Sequence, residues 1–289
     1  MLHNNLPEIN STNFGIINKL LTGFIKEEIL RAGLNKVVLG LSGGVDSAVV
    51  SYLAASALGN KNVTAVLMPY KTSSPKSLED GLKVVGALRI KHFVIDISRQ
   101  IDDYFAKDAG GDSDGAGAGE NGLKVRIGNK MARERMSILY DLSYKLGSLV
   151  LGTSNKSELL LGYGTIYGDM ASAVNPIGDI YKTQIHQLAG FLNIPKLIVK
   201  KAPSADLWID QTDEKELGFT YKEADNIMFL LVDKMYKPET VSSLGYDENL
   251  VSLIYGKIKR SQYKRRMPLI AKVSQRTINI DFRYLRDWA

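Results

Sequence analysis

Between residues 13 and 31 the apolar positions Ile16, Ile17, Leu20, Leu21, Phe24, Ile25, Ile29 and Leu30 recur three and four apart. That is the spacing of one face of an amphipathic helix, and Gly33 supplies its stop. Residues 36–41, K-V-V-L-G-L, form a short β-branched and apolar run that reads as a buried strand of a parallel sheet. A turn rich in glycine and serine follows, and residues 48–58 are small and apolar enough for a helix packed on that sheet. The alternation then repeats: residues 63–68 predict a second strand, 75–88 a second helix and 92–97 a third strand. Strands and helices alternating through short connections predict βαβ units, hence an α/β fold with a doubly wound parallel sheet flanked by helices. Ligands of such folds sit beyond the carboxyl ends of the strands.

Further along, residues 109–122, A-G-G-D-S-D-G-A-G-A-G-E-N-G, hold no bulky apolar side chain and cannot contribute core. A flexible surface loop is expected there. Helical patterns occupy residues 124–146, 181–192, 221–235 and 247–263, and residues 149–152 read as another buried strand. With no internal repeat and no linker, one domain over residues 1–289 with helical additions is expected.

Composition narrows the chemistry. The 289 residues include no cysteine, which excludes disulfides, thiolate metal sites and cysteine nucleophiles in this chain. Lysine and arginine total 37 against 31 aspartates and glutamates, a net charge of +6 that favours anionic partners and leaves nucleotides and nucleic acids both open. No apolar run approaches the ~20 residues of a membrane helix, and the first residues do not follow a basic segment with an apolar one. A cytoplasmic location without membrane contact is therefore expected.

The turn after the first strand carries the chemistry. Residues 40–47 read G-L-S-G-G-V-D-S: Gly40, Leu41, Ser42, Gly43, Gly44, Val45, Asp46 and Ser47. A strand, a glycine-rich turn and a helix gather backbone N–H groups and a helix N-terminus around one point, which suits an anion and above all a phosphate. The turn has neither G-K-[ST] nor G-x-G-x-x-G, so it matches neither common nucleotide fingerprint. One reading is a tight turn with Asp46 or Ser47 as helix cap. The other is a phosphate loop, in which an aspartate beside the phosphates implies an intervening cation, Mg²⁺.

The octapeptide resembles the signature of the N-type ATP pyrophosphatases, enzymes that cleave ATP between its α and β phosphates and bind pyrophosphate in this loop. Three further stretches are similar to the NAD synthetases among them: G-N-K-M-A-R-E-R-M at 128–136, G-T-S-N-K-S-E-L-L-L-G-Y-G-T-I-Y-G-D at 152–169 and P-S-A-D-L-W-x-x-Q-T-D-E at 203–214. The resemblance runs from about Asn13 to Pro268. It implies the adenine nucleotide alpha hydrolase-like fold and a homodimer. It also implies ATP-dependent amidation of deamido-NAD with ammonia through an adenylate, with no role in binding nucleic acid.

Residue by residue, the resemblance implies that residues 40–47, Thr153, Lys182 and Ser204 contact ATP. Asp46 and Glu158 hold Mg²⁺, and with Lys182 form the catalytic group. Each has a plainer reading from the residues alone. Asn155 and Glu158 have the spacing of a capping box. Lys182 stands in the first turn of a helix, against the macrodipole, where a surface lysine costs only a few tenths of a kcal/mol. Ser204 belongs to a stretch that could be an ordinary surface connection ending in a helix capped by Thr212. For deamido-NAD the resemblance implies Arg133, Asp169, Tyr263 and Lys264. Arg126, Lys130 and Arg133 otherwise form a solvated helix face, and residues 264–266 a basic patch.

The chain departs from the family in one place: Ile166 and Ala173 stand where many members carry a substrate-binding lysine and an aspartate. Rival readings are another N-type ATP pyrophosphatase, acting on XMP or tRNA, and a nucleotide-binding protein without turnover. The absence of cysteine argues against a thiolating enzyme, and the pair Asp46 and Glu158 against a mere sensor. It also argues against a glutamine-cleaving amidase within the chain, so free ammonia is the expected nitrogen source.

Overall fold

The computed structural model describes residues 13–108, 120–204, 206–208, 211–266, 268–278 and 281. Four short strands, Val37–Gly40 (β1), Val63–Leu67 (β2), Lys91–Val94 (β3) and Leu149–Leu151 (β4), run parallel in the order β3-β2-β1-β4. Val37 lies opposite both Val63 and Leu149, and an isolated parallel bridge joins Leu151 to Val174. The β2 residues are all buried, whereas β3 is an exposed edge strand. From β1 the chain builds outward through β2 and β3, then returns to place β4 on the other side. The crevice between the carboxyl ends of β1 and β4 is thus the switch point at which such sheets bind ligands.

Side chains alternate across the sheet with the period of two that extended backbone imposes. Val37, Leu39, Ala65 and Leu67 enter a core with Ile25 and Ile29 of Phe14–Arg31 (α1), Val49 and Leu53 of Val45–Leu58 (α2), Val84 of Pro75–Leu88 (α3) and Ile185 of Lys182–Phe191 (α7). Val38, Val66 and Val150 point the other way. They meet Ile101 of Ser98–Asp108 (α4) and Met131 and Leu142 of Glu120–Leu146 (α5). Helix α2 is apolar nearly all round because it is enclosed by the sheet, α1 and α7. Burying a side chain such as Leu53 there is worth roughly 1.5–3 kcal/mol.

A third core holds the helical addition: Lys156–Leu161 (α6), Asp213–Leu217 (α9), Tyr221–Met228 (α10), Pro238–Ser243 (α11) and Glu248–Arg260 (α12). A short helix at Lys196–Val199 (α8) precedes α9.

Two expectations shift. Helix α5 begins at Glu120, so residues 120–122 of the expected loop are helical. Residues 109–119 lie outside the described residues. The helix expected over 221–235 ends as regular α-helix at Met228 and continues as a π-helical turn over Phe229–Asp233. Among the described residues no helix is long and apolar enough to cross a membrane.

The turn after β1 depends on Gly43, whose φ of +75° belongs to the left-handed region. A Cβ added there would lie 2.1 Å from the backbone carbonyl oxygen of Ser77 in α3. Gly43→Ala is expected to lower stability by about 1–2 kcal/mol from the backbone alone, and by more from the clash. Urea unfolding checks this, and a wild-type midpoint would refute it.

Candidate active site

Local hydrogen bonds shape the β1–α2 turn. Ser47 Oγ donates to the Gly44 carbonyl at 3.2 Å and accepts from the Ser42 amide at 3.2 Å, while Ser42 Oγ accepts from the Gly44 amide. Neither Asp46 nor Ser47 is the helix cap. Gly44 takes that position without a side-chain cap, because Ser47 folds back onto the turn and Asp46 is already in the helix. The first-turn amides of α2, at Val45 and Asp46, therefore have no capping side chain where they line the cavity.

After β4 the chain enters α6 through a complete capping box. Asn155 accepts from the Glu158 amide at 3.0 Å, and Glu158 Oε2 accepts from the Asn155 amide at 3.2 Å. The capping and functional readings of Glu158 coincide, since its other oxygen accepts from Lys182 Nζ at 3.3 Å. Lys182 Nζ also donates to Asp46 Oδ2 at 2.5 Å, and Asp46 Oδ1 accepts from Asn155 Nδ2 at 2.8 Å. Asp46, Asn155, Glu158 and Lys182 thus close a ring across the crevice between β1 and β4.

The electrostatics are unbalanced. Lys182 is buried at the first position of α7, against the macrodipole, yet Asp46 and Glu158 hold its pKa above the ordinary lysine value despite that burial. Burial, with Asp46 adding to it, raises Glu158 to about 8 even though Lys182 pulls the other way. Two carboxylates share one ammonium, and the site retains affinity for more positive charge. Both are hard oxygen donors on the first turns of separate helices, and each oxygen keeps lone-pair capacity beyond its one hydrogen bond. That donor set fits Mg²⁺, which fills its remaining positions with water and phosphate oxygens.

The ring lies in the wall of a cavity of about 1280 Å³ over the carboxyl ends of the strands. Of the residues expected at the site, all line this cavity except Gly43, Arg133 and Tyr263. Gly43 packs on α3, Arg133 donates to the Ile166 carbonyl at 3.3 Å, and Tyr263 is exposed. Lys264 reaches the cavity wall but donates to the carbonyls of Gly162 and Gly164 at 2.8 and 2.7 Å, and burial lowers its pKa. Asp169 accepts from the Thr165 amide at 2.6 Å, and burial raises its pKa. Ser204 accepts from the Asp206 amide, and Thr212 precedes α9 without a side-chain cap.

Several cavity residues escaped the sequence reading. Arg135, rather than Arg133, faces the cavity, because two residues along a helix turn about 200°. It donates to the Met68 carbonyl at 3.1 Å, and burial lowers its pKa against the opposing pull of Asp206 and Asp169. Arg135 falls on the stripe of Met131, Ile138 and Leu142, and a charge on an apolar stripe is the signal that could have found it. Lys201 also lines the cavity and donates to Ser77 Oγ at 2.9 Å.

Comparison with known proteins identifies the family. The model of the NAD synthase family matches residues 16–268. The chain belongs to the NAD synthase family. It is 51% identical over 276 residues to the NH(3)-dependent NAD(+) synthetase of Trichlorobacter lovleyi, covering 96% of this chain and 97% of that one. Among solved structures, an NH3-dependent NAD synthetase from Campylobacter jejuni superposes with a TM-score of 0.73 and 36% identity, covering 90% of this chain and all of that one. An NMN synthetase from Francisella tularensis gives a TM-score of 0.77 and 29% identity, covering 90% and 99%. The family's fold is the one read here, a parallel sheet with flanking helices.

Removing the ammonium exposes the imbalance. Lys182→Met drives Glu158 further toward its protonated form, leaves the Asp46 carboxylate without its ammonium partner and is expected to cost about 3–5 kcal/mol of stability in metal-free buffer. Adding Asp46→Asn should recover part of that loss. Denaturant titration measures both, and a single variant as stable as the wild type would refute the account.

Proposed function

We propose that Asp46, Glu158 and Lys182 carry the adenylation step by which this ligase makes NAD from deamido-NAD, ATP and ammonia. Amide formation with free ammonia is the activity named for relatives about half identical along nearly the whole chain. The observation supporting the residue roles is the ring that joins the β1–α2 turn, α6 and α7 over the switch point of the sheet. In the first step the nicotinate carboxylate attacks the α-phosphorus of ATP, and the bond to the β-phosphate oxygen breaks, releasing pyrophosphate. The uncapped amides of α2 and the Lys182 ammonium stabilise the charge that develops on the leaving group. Asp46 and Glu158 would hold Mg²⁺, which when bound offsets the phosphate charge beside the carboxylates. Ammonia then attacks the acyl carbon, the C–N bond forms, AMP leaves with the electrons of the C–O bond, and the nitrogen gives up one proton to water. Positioning and charge stabilisation supply the acceleration in this reading, without a protein nucleophile.

A second reading concerns the acceptor. The Francisella tularensis neighbour is an NMN synthetase, and Ile166 and Ala173 stand here where polar residues are common in the resembling enzymes. Nicotinate mononucleotide presents the same carboxylate as deamido-NAD, so the adenylation chemistry is unchanged. A second copy of this chain is also part of the proposal, supported by exposed Ile16, Leu20 and Phe24 along α1. Sedimentation that finds a fully active monomer would remove it.

Purified protein given ATP, Mg²⁺ and ammonium is expected to release AMP and pyrophosphate with deamido-NAD and to form NAD. Release with nicotinate mononucleotide alone would favour the second reading, and release with XMP or tRNA would overturn both. Replacing ammonium with ammonia-free glutamine should abolish product. Asp46→Asn and Glu158→Gln should each slow pyrophosphate release by at least about 10²-fold while circular dichroism stays native. Near-wild-type turnover in either variant would refute the metal-binding assignment.

A further inference from the structure

Glu158 and Lys182 belong to separate short helices, and beyond the direct bonds from Lys182 to Ser157 and Glu158 something must fasten the two first turns together. Two aspartates on α10 and the π turn after it do so. Asp225, fully buried, accepts from Ser157 Oγ of α6 at 2.5 Å and from both the amide and the hydroxyl of Thr183 in α7 at 2.8 Å. Ser157 Oγ in turn accepts from the Lys182 amide at 2.9 Å. Asp233 repeats the pattern one layer outward. It accepts from Lys156 Nζ of α6 at 2.7 Å and from the hydroxyl of Tyr181, the cap residue of α7, at 2.5 Å. Each carboxylate therefore joins the start of α6 to the start of α7, where two macrodipoles favour negative charge. Eight residues separate Asp225 from Asp233. A regular α-helix would turn them about 80° apart, whereas the extra residue of the π turn takes up about one 100° step and returns them to nearly one face.

We propose that Asp225 and Asp233 are positioning residues, a two-carboxylate clamp that holds Glu158 and Lys182 in register for adenylation and makes the helical addition part of the active site. This rests on the roles proposed above for Glu158 and Lys182. Neither aspartate lines the cavity, so the clamp acts through the residues it holds. Three donors converge on Asp225. An asparagine there would turn an NH₂ toward one of them and leave that donor unpaired.

The test uses the full chain with Asp225→Asn, Asp233→Asn, Thr183→Ala and Thr183→Ser. The clamp predicts that kcat falls on the order of 10- to 100-fold in Asp225→Asn while KM for ATP and for ammonium stays within about threefold. Thr183→Ala should move the same way, and Thr183→Ser, which keeps the hydroxyl, should restore turnover. Should Asp225→Asn not fold, the Thr183 pair decides. Hydrogen exchange over residues 155–158 and 181–184 reads the clamp without turnover, and it should quicken in Asp225→Asn and Thr183→Ala. Folded variants with wild-type kcat, a loss confined to KM, or unchanged protection would each overturn the clamp. Wild-type protein that makes no NAD, while the variants still show the quickened exchange, would count against the proposed reaction alone.

Discussion

A lysine ammonium buried at the first position of a helix is the constraint on which the site depends. Lys182 enters α7 where the helix presents its own partial positive charge, and its side chain has left solvent. Only negative partners brought from elsewhere can make that arrangement stable, because an unpaired buried charge costs several kcal/mol. Asp46 arrives from the first turn of α2, just after β1, and Glu158 from the first turn of α6, just after β4. The ammonium therefore ties together the two strand ends between which the sheet opens.

The surrounding features follow from that pairing. Asp46 can reach the crevice because Gly43 adopts a left-handed conformation against the Ser77 carbonyl and Ser47 folds back on the turn. Glu158 is held by its own capping box, so one carboxylate both starts a helix and faces the lysine. Two carboxylates against one ammonium leave a cavity wall that attracts further cation while its uncapped amides attract anion. In the proposed reaction, magnesium and polyphosphate together would satisfy both demands. The third core, remote from the sheet, contributes through Asp225 and Asp233, which fasten the two helix starts together.

The layered fold was legible because its signals are local. Strand runs of four to six apolar residues and helices with three- and four-residue spacing describe elements whose solvent-hidden faces are set by backbone period alone. The G-L-S-G-G-V-D-S turn, the capping-box spacing of Asn155 and Glu158, and the position of Lys182 in a first turn could likewise be read along the chain. Arg135 and Arg133 could not be told apart so easily. Both sit on one helix two residues apart, and which face turns inward depends on how α5 rolls against β1 and β4. The cap at Gly44 and the π turn were likewise outcomes of competing hydrogen bonds rather than of composition.

By itself, the sequence determined the main strands and helices, their parallel βαβ arrangement, the glycine-rich turn and the residue types available at the site. Those properties depend on interactions among neighbours within a few positions. Tertiary structure decided which carboxylates share Lys182, that Asn155 bridges them, and that Asp225 and Asp233 bind helices dozens of residues earlier in the chain. The contacts between elements join residues 24 to 136 positions apart, and only the packing of cores around the sheet brings their polar atoms within hydrogen-bonding distance.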